Sequence, residues 1–389
     1  MKYSPTEFLK VTNNIADHFG FRTMEAITNE PVCRHCNTSL PHTITPQDEK
    51  IDSHDGLLTN SVRAYCEQNL HALETPILLY SLEQNPDTND TVAVFNIFNV
   101  PKSIAEAILI QLGVALMKEV GQTDHTVRIN SLGDAESSTR YSRELTNFLR
   151  KRIDTMPEAA RELLKEHPLF ALAELIKEKD ELAYKSPNPL EYLSDQSRKH
   201  FREIVEYLDM TETAYEIDPK MIANHECYSD ALFSIENTSD ELSDDDSCLS
   251  IRGGRYDEFV YSKTRSRIPA VGAVVRYTNC KPPARVPRAK KATPSVYVIQ
   301  LGFGAKIRSL MILDELRHIG IPVQHDLSSD SLSTQLRDAE ARGVRYAVII
   351  GQKEFIEQTV ILRDMKGRNQ EYLAPEQMLK KLKRQLVTA

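Results

Sequence analysis

The chain has 389 residues, of which 41% are apolar and 27% are charged, which is typical of an ordinary soluble protein with two or three domains. A formal net charge of −8 gives no support for a protein that binds nucleic acid over its whole surface, although a local basic face stays possible. The sequence contains no run of 18 apolar residues and no apolar leader, so we expect neither a membrane span nor a signal peptide. Six cysteines are too few for a disulfide scaffold at this length, and we expect a cytoplasmic protein.

The first part of the chain combines one predicted helix with a long polar segment. Apolar residues at helical spacing predict a helix over residues 6–19, and residues 21–27 favour a short strand. The polar segment 28–57 contains Cys33 and Cys36 in a C-x-x-C pair. Such a pair is half of a zinc site, but no second pair follows, so free thiols on a loop are the alternative.

Residues 57–133 predict a helix, a strand hairpin, a second helix and a strand. Helical patterns cover residues 57–70 and 104–120, and apolar runs at 77–80 and 92–95 indicate two strands joined by a turn. No arginine or lysine occurs between Thr75 and Pro101, so the hairpin itself offers no cation to a phosphate group. The next strand is predicted at residues 127–133, which read V-R-I-N-S-L-G.

Residues 134–208 are rich in predicted helices and strongly charged, and their charge runs are most simply the solvent-facing sides of those helices. The helices are predicted at residues 141–153, 158–166, 169–179 and 195–208. Residues 239–247 carry consecutive carboxylates and no aromatic side chain, and this composition predicts a loop.

Residues 251–260 read I-R-G-G-R-Y-D-E-F-V, and we call them the organising stretch. The two glycines allow the backbone to lie close to a small ligand or to a neighbouring strand. Arg255 and Tyr256 then offer polar groups to a small charged molecule. A tight turn that enters a half-buried strand is the alternative interpretation of the same pattern.

The C-terminal part of the chain predicts a separate α/β unit. Residues 281–294 are rich in proline, lysine and arginine and predict a stiff linker. Strands are then predicted at 296–300, 323–326, 346–350 and 359–363, and helices at 305–319, 331–342 and 375–386. This alternation favours helices that flank a mostly parallel sheet. Gly302 and Gly304 suggest a dinucleotide-binding loop, which the missing third glycine excludes.

Several of these segments together resemble the histidyl-tRNA synthetase family, which are class II aminoacyl-tRNA synthetases. The organising stretch is similar to the histidine-recognition segment of that family, and residues 127–133 are similar to its R-I-N-x-L-G strand. P-A-V-G at 269–272 resembles its third motif, and the S-L-x-x-Q-x-x-x-A pattern at 331–339 resembles its anticodon-binding domain. The resemblance implies an α+β class II synthetase-like antiparallel-sheet domain over residues 1–280 with a helical insertion at 134–208. An α/β anticodon-binding-like domain over residues 295–389 would follow the linker at 281–294.

Four departures from the family pattern fall where the family places its chemistry. The Arg-Pro-Glu that should precede residues 62–65 is absent, and the hairpin lacks its phosphate-binding arginine. The catalytic arginine of the family falls on Ala223, and the third motif ends early at Arg276. Because adenylate formation needs cations aimed at the nucleotide phosphates, the four losses together argue against it. We therefore predict no catalytic residue and no cofactor.

The resemblance leaves a small set of residues for a histidine-like ligand pocket, namely Glu226, Tyr228, Arg255 and Tyr256. The main hypothesis is a non-catalytic paralogue that binds tRNA or another protein, and the resemblance implies a homodimer.

Three alternatives stay open beside this hypothesis. An active but divergent histidine–tRNA ligase would need ATP and Mg²⁺ and would recruit other cations, of which the candidates are Arg63, Arg252, Arg255 and Arg276. A regulatory subunit of ATP phosphoribosyltransferase is the second, although such subunits usually lack the C-terminal domain. A structural dimer partner for a true synthetase is the third.

Overall fold

The computed structural model describes residues 5–23, 54–68, 70, 76–84, 90–222, 227–237, 248–278, 295–326 and 330–386. The described strands form two sheets, one of eight strands that ends at Thr278 and one of five that begins at Val296. The linker at 281–294, the loop at 239–247 and the pair Cys33 and Cys36 lie outside the described residues. The domain limits inferred from the sequence therefore stay a prediction.

The large sheet is antiparallel over most of its width. Its strands are β1 (Arg22–Thr23), β2 (Ile77–Gln84), β3 (Thr91–Phe98), β4 (His125–Gly133), β5 (Tyr215–Ile217), β6 (Ser229–Asn237), β7 (Cys248–Arg255) and β8 (Ala270–Thr278). They lie in the order β1-β2-β3-β8-β7-β6-β4-β5. The two outer pairs, β1–β2 and β4–β5, are parallel, and the other neighbours are antiparallel. The predicted hairpin is the β2–β3 pair, with longer strands than the apolar runs indicated.

Helices cover both faces of this sheet. The helices of this half are α1 (Pro5–His18), α2 (His54–Glu67), α3 (Ile104–Glu119), α4 (Ala135–Arg150), α5 (Glu158–Glu166), α6 (Pro168–Lys177), α7 (Glu181–Lys185), α8 (Asp195–Met210) and α9 (Asp257–Thr264). The helix α3 is apolar and buried along most of its length, and it packs against inward-facing residues of β3 and β8. Alternate residues of the same strands pack against α2 on the other face. The predicted helical insertion corresponds to α4–α8.

The small sheet is mixed rather than mostly parallel. Its elements are β9 (Val296–Gln300), α10 (Phe303–His318), β10 (Val323–His325), α11 (Leu332–Ala341), β11 (Tyr346–Ile350), α12 (Gln352–Ile356), β12 (Val360–Asp364), β13 (Gln370–Leu373) and α13 (Pro375–Leu386). The strands lie in the order β10-β9-β11-β12-β13. The pairs β10–β9 and β9–β11 are parallel, and the pairs β11–β12 and β12–β13 are antiparallel. The sequence pattern missed β13 because this edge strand is short, polar and largely exposed.

The organising stretch is the end of β7 followed by α9, so the interpretation as a tight turn that enters a strand is wrong. Both glycines lie within β7. A Cβ atom at Gly253 would lie 2.3 Å from the Phe233 ring and 2.6 Å from the carbonyl oxygen of Gly272. A Cβ atom at Gly254 would lie 2.6 Å from the carbonyl oxygen of Ala231. The glycines therefore permit the close approach of β6 and β8 to β7.

Candidate functional site

Arg255 ends β7 and was assigned to a ligand pocket on sequence grounds. Only 4% of its surface is exposed, and its Nε and Nη2 atoms donate to the Glu106 carboxylate at 2.8 and 3.1 Å. Burial lowers the pKa of Arg255, but the Glu106 and Asp257 carboxylates raise it above its usual value overall. The guanidinium thus has an internal partner within the fold, and the predicted contact of Arg255 with a ligand stays a prediction.

Glu106 is shared between two cations from different elements. It is fully buried on α3, and the Nε2 atom of His200 on α8 lies 2.8 Å from its Oε1 atom. Burial raises the pKa of Glu106, yet Arg255 and His200 hold it at about 2. Neither residue belongs to a recognisable motif, and the one signal in the sequence is a carboxylate within the otherwise apolar first seven residues of α3, Ile104–Ile110. A side chain there must find a cation, because an unpaired buried charge is costly.

Asp230 adds a third acidic group to this buried cluster. It adopts a left-handed backbone conformation, with φ of 59°, at a register shift between β6 and β7. Burial raises the pKa of Asp230 to about 6, and the His200 cation partly opposes this. Burial alone would lower the pKa of His200, but the adjacent Glu106 raises it above 6.5. The cluster therefore holds two groups, Asp230 and His200, whose pKa values both lie above their usual values.

Tyr256 was the second residue predicted to contact a ligand, and it is fully buried. Its hydroxyl donates to the Oδ1 atom of Asn96 at 2.6 Å, and the Asn96 amide donates to the Ser61 hydroxyl at 3.0 Å. These bonds join α9, β3 and α2 beneath the sheet surface. The hydroxyl is thus engaged within the fold.

Tyr228 stands at the start of β6, and 3% of its surface is exposed. Its ring packs edge-on against the ring of Tyr256 with centroids 6.5 Å apart, and its hydroxyl lies 3.5 Å from the carbonyl oxygen of Arg252. The preceding residues Ala223 and Glu226 lie outside the described residues. The structure brings the two predicted tyrosines together, and the role of Glu226 stays a prediction.

An apolar cluster occupies the sheet surface on the side of α2. It consists of Leu57 from α2, Val94 from β3 and Val274 from β8, all buried. The hairpin β2–β3 therefore presents apolar side chains at the place where the family resemblance implies a phosphate-binding surface.

Two of the four candidate cations for a nucleotide, Arg63 and Arg276, lie on different elements. Arg63 on α2 donates to the Asn60 side chain at 3.3 Å. Arg276 on β8 is half-buried, and its register partners are Val92 on β3 and Ser250 on β7. A role for either cation in binding a nucleotide stays a prediction.

A cavity of about 260 Å³ opens over the outer half of the large sheet. Its lining combines apolar and charged side chains from the sheet and the insertion: Arg128, Ile176, Asp218, Met221, Tyr228, Leu232, Phe233, Ser234, Glu236, Arg252 and Gly253. Glu236 lies between two cations, 3.1 Å from Arg252 and 3.6 Å from Arg128. These pairs are partly exposed, so each is weak and can be replaced by a polar ligand.

A second cavity of about 380 Å³ lies on the other side of Tyr228 and is acidic. It is lined by Leu132, Gly133, Asp134, Ala135, Ser138, Thr139, Leu169, Cys227, Tyr228, Ser229, Glu258, Phe259 and Ser262. These lining residues supply two carboxylates and several hydroxyls without a cation. Asp134 is already committed, because its carboxylate caps α4 at the Ser137 amide, 2.8 Å away. Such a lining does not suit a triphosphate.

Two further expectations concern metals and membranes. Within the described ranges, no group of three or more His, Cys, Asp or Glu side chains is placed to hold a metal ion. The zinc prediction for Cys33 and Cys36 falls outside those ranges and is untouched by this observation. No helix in the described part of the chain has the length and apolar character needed to cross a membrane.

Comparisons with known proteins agree with this architecture. Residues 295–385 match the family model described as "Anticodon binding domain". The histidine–tRNA ligase of Fervidobacterium nodosum is 28% identical over 278 residues, which cover 70% of this chain and 65% of that protein. The histidine–tRNA ligase of Rippkaea orientalis is 26% identical over 334 residues, which cover 82% of this chain and 76% of that protein. The first match thus spans less than two thirds of that relative.

The structure of apo histidyl-tRNA synthetase from S. aureus is similar to 83% of this chain and 81% of its own, with 16% identity and a TM-score of 0.45. The predicted fold is confirmed by the sheet topology and the domain match: a largely antiparallel, class II synthetase-like sheet domain with a helical insertion precedes an anticodon-binding domain. From these relatives and the match to the anticodon-binding domain, the chain is similar to histidine–tRNA ligases over most of its length.

Proposed function

We propose that this protein binds tRNA through its C-terminal domain and does not form histidyl adenylate. The proposal rests mainly on one observation: the polar side chains of the organising stretch that could bind a ligand are bonded to other residues inside the fold. There, Arg255 is turned inward onto Glu106, and the Tyr256 hydroxyl bonds to Asn96. An adenylating centre instead needs cations that point outward at the developing charge on phosphorus.

The β2–β3 hairpin supports the same conclusion. It contains no arginine or lysine between Thr75 and Pro101, and the side chain of Val94 packs with Leu57 on the outer face. Removing one preorganised electrostatic contact typically lowers an enzyme's rate by about 10²–10³-fold. With several contacts absent together, we expect no ATP, Mg²⁺ or other cofactor to be used.

The C-terminal domain supports the RNA-binding part of the proposal. It carries exposed cations on several elements, which are Arg342, Arg345, Lys353, Lys366, Arg368, Lys380, Lys383 and Arg384. Cations on a surface of an otherwise acidic protein provide the local attraction that an RNA backbone requires. The homodimer and the cytoplasmic location remain predictions.

The first test is pyrophosphate exchange into ATP in the presence of histidine. We expect exchange at the level of the blank without protein. Exchange well above that blank would establish the catalytic alternative, a divergent histidine–tRNA ligase, which the names of the relatives favour. In that case the cations Arg63, Arg252 and Arg276 would be the first to substitute.

The second test is filter binding of tRNA at two salt concentrations. The double variant Lys380→Gln with Lys383→Gln removes two exposed cations from α13. We expect it to bind more weakly and to lose about two units of the slope of log affinity against log salt. The matched control, Lys199→Gln with Arg202→Gln, removes two exposed cations from α8 and should bind as the wild type does. Absence of salt-dependent binding by the wild type would contradict the proposal.

A further inference from the structure

The described residues from 295 to 386 are called the C-terminal half, and those up to 278 the N-terminal half, although the two differ in length. The C-terminal half is docked on the N-terminal half through side chains from several elements. The ring of Phe303 on α10 lies 5.0 Å from the ring of Tyr207 on α8. The Nε2 atom of His325, which ends β10, lies 3.1 Å from the carbonyl oxygen of Phe19, just beyond α1. The helix α10 also packs along α1. These contacts give the two halves one defined arrangement.

One carboxylate joins the halves at this contact. Asp330 precedes α11, and its side chain lies 2.6 Å from the Nζ atom of Lys102 and 2.9 Å from that of Lys306. Lys306 belongs to the same half as Asp330, whereas Lys102 lies between β3 and α3 in the other half. Burial raises the pKa of Asp330, but its hydrogen bonds with the two lysines hold it at about 2. The bridge is therefore fully ionised at neutral pH.

Lys102 is also tied to the organising stretch. Its carbonyl oxygen accepts from the Nη2 atom of Arg255 at 3.4 Å, and the carbonyl oxygen of Val100 accepts from Nη1 at 3.3 Å. The same guanidinium binds Glu106 in the first turn of α3. The segment 100–103 is thus held on one side by Asp330 and on the other by Arg255.

The two restraints on this segment differ in strength. The side chains of Lys102 and Asp330 are 43% and 48% exposed, whereas those of Arg255 and Glu106 are 5% and 1% exposed. Exposed ion pairs are weak and salt-sensitive, whereas a buried pair that loses one partner is strongly destabilised. The bridge to Asp330 can therefore open while the cluster around Arg255 stays intact.

We propose that the Asp330–Lys102 bridge is an interdomain latch, which couples the docking of the C-terminal half to the order of segment 100–103 and of the organising stretch. With the latch closed, Lys102 restrains the segment whose carbonyl groups bind Arg255. With the latch open, that restraint is lost and the docked face near Phe19 loosens. The inference concerns regulation between the halves, and it holds whether or not the large sheet activates histidine.

Hydrogen exchange on the full chain tests the latch, with Lys102→Gln as the variant. This change leaves the Asp330–Lys306 pair in place, so the C-terminal half is expected to keep its fold and its melting temperature. We expect about two- to fivefold faster exchange both in peptides over residues 100–106 and 252–258 and in peptides over residues 19–23 and 323–326.

The matched control is Lys381→Gln, because the Nζ atom of Lys381 also lies 2.6 Å from a carboxylate, that of Glu371 within the C-terminal half. It should leave exchange in all four regions unchanged. Raised salt should reproduce the Lys102→Gln pattern in the wild type and have little further effect on the variant. The latch is overturned if exchange changes only next to residue 102, if the control gives the same pattern, or if salt has no effect on the wild type. Pyrophosphate exchange and tRNA binding are separate measurements, so their outcome does not decide this one.

Discussion

The two sheets of this chain use charged residues in opposite ways. In the large sheet, the cation of the organising stretch is buried against Glu106, and the nearby face of β3 is apolar. In the small sheet, the buried strands are apolar, and most cations of the surrounding elements are exposed, with the buried Lys306 as an exception. The difference shows that packing and the placement of surface charge are separate properties.

The same contrast occurs on a smaller scale within β7. Arg252 and Arg255 both contact a glutamate, at 3.1 and 2.8 Å, but the Arg252 side chain is 51% exposed and that of Arg255 is 5% exposed. The two ion pairs therefore have similar distances and differ in burial. Substituting each glutamate, Glu236 beside Arg252 and Glu106 beside Arg255, compares the stability that an exposed and a buried pair contribute.

The largest expected effect is that of Glu106→Gln. The substitution leaves the Arg255 guanidinium buried without a carboxylate and deprives His200 of its partner. We expect a loss of about 3–5 kcal/mol in the free energy of unfolding. Urea unfolding followed by far-UV circular dichroism measures this loss.

The control for this prediction is Glu236→Gln, which removes the carboxylate beside Arg252. Because that pair is exposed, we expect a change of about 0–1 kcal/mol. Equal losses for the two variants would show that the buried cluster has no special role in stability, and the contrast within β7 would then fail.

Much of the fold could be predicted from the sequence because local periodicity and packing agree. The strands at 296–300 and 346–350 and the helices at 158–166 and 375–386 have the predicted limits. In the C-terminal domain, the elements that were missed, α12 and β13, are short and largely exposed, so they leave no apolar pattern. For the organising stretch, the expected close approach of a neighbouring strand is seen, because its glycines lie within β7 and do not form a turn.

The site was harder to predict because a sequence does not show which distant residues a charge will meet. Strand alternation places Arg252 and Arg255, three positions apart on β7, on opposite faces, where Arg252 lines a cavity and Arg255 is buried. The partner of Arg255 lies 149 positions away on α3, and His200 comes from the insertion. No spacing rule connects such residues, since only the tertiary fold brings them together.

A smaller effect tests the packing role of the organising glycines. Gly253→Ala places a Cβ atom against the Phe233 ring and the backbone oxygen of Gly272, and a backbone atom cannot move aside as a flexible side chain can. We expect a loss of about 1–3 kcal/mol in unfolding free energy, measured by urea denaturation. Gly367→Ala is the control, because its new Cβ atom would have no neighbour closer than 3.6 Å. A loss in the control as large as in Gly253→Ala would remove the packing argument.

The smallest expected effect concerns Asp230 and pH. Its pKa is raised from 3.8 to about 6, so the folded state holds the proton more tightly than the unfolded state does. Stability from this group is therefore greatest below about pH 4 and falls as pH rises from about 4 to 6. Asp230→Asn removes this loss of stability with rising pH, and asparagine tolerates the left-handed backbone at this position. We expect the variant to be about 1–2 kcal/mol more stable than the wild type at pH 7 and equal to it near pH 4.

Thermal unfolding across pH 4 to 8 measures the difference, with the exposed Asp154→Asn as the control. His200 titrates in the same cluster, and its raised pKa gives stability that is present below 6.5 and lost as pH rises through the raised value. The Asp230→Asn variant should therefore still lose stability above pH 6.5 while it stays level from about pH 4 to 6. A variant that loses stability in the lower window as the wild type does would show that Asp230 is not the titrating group.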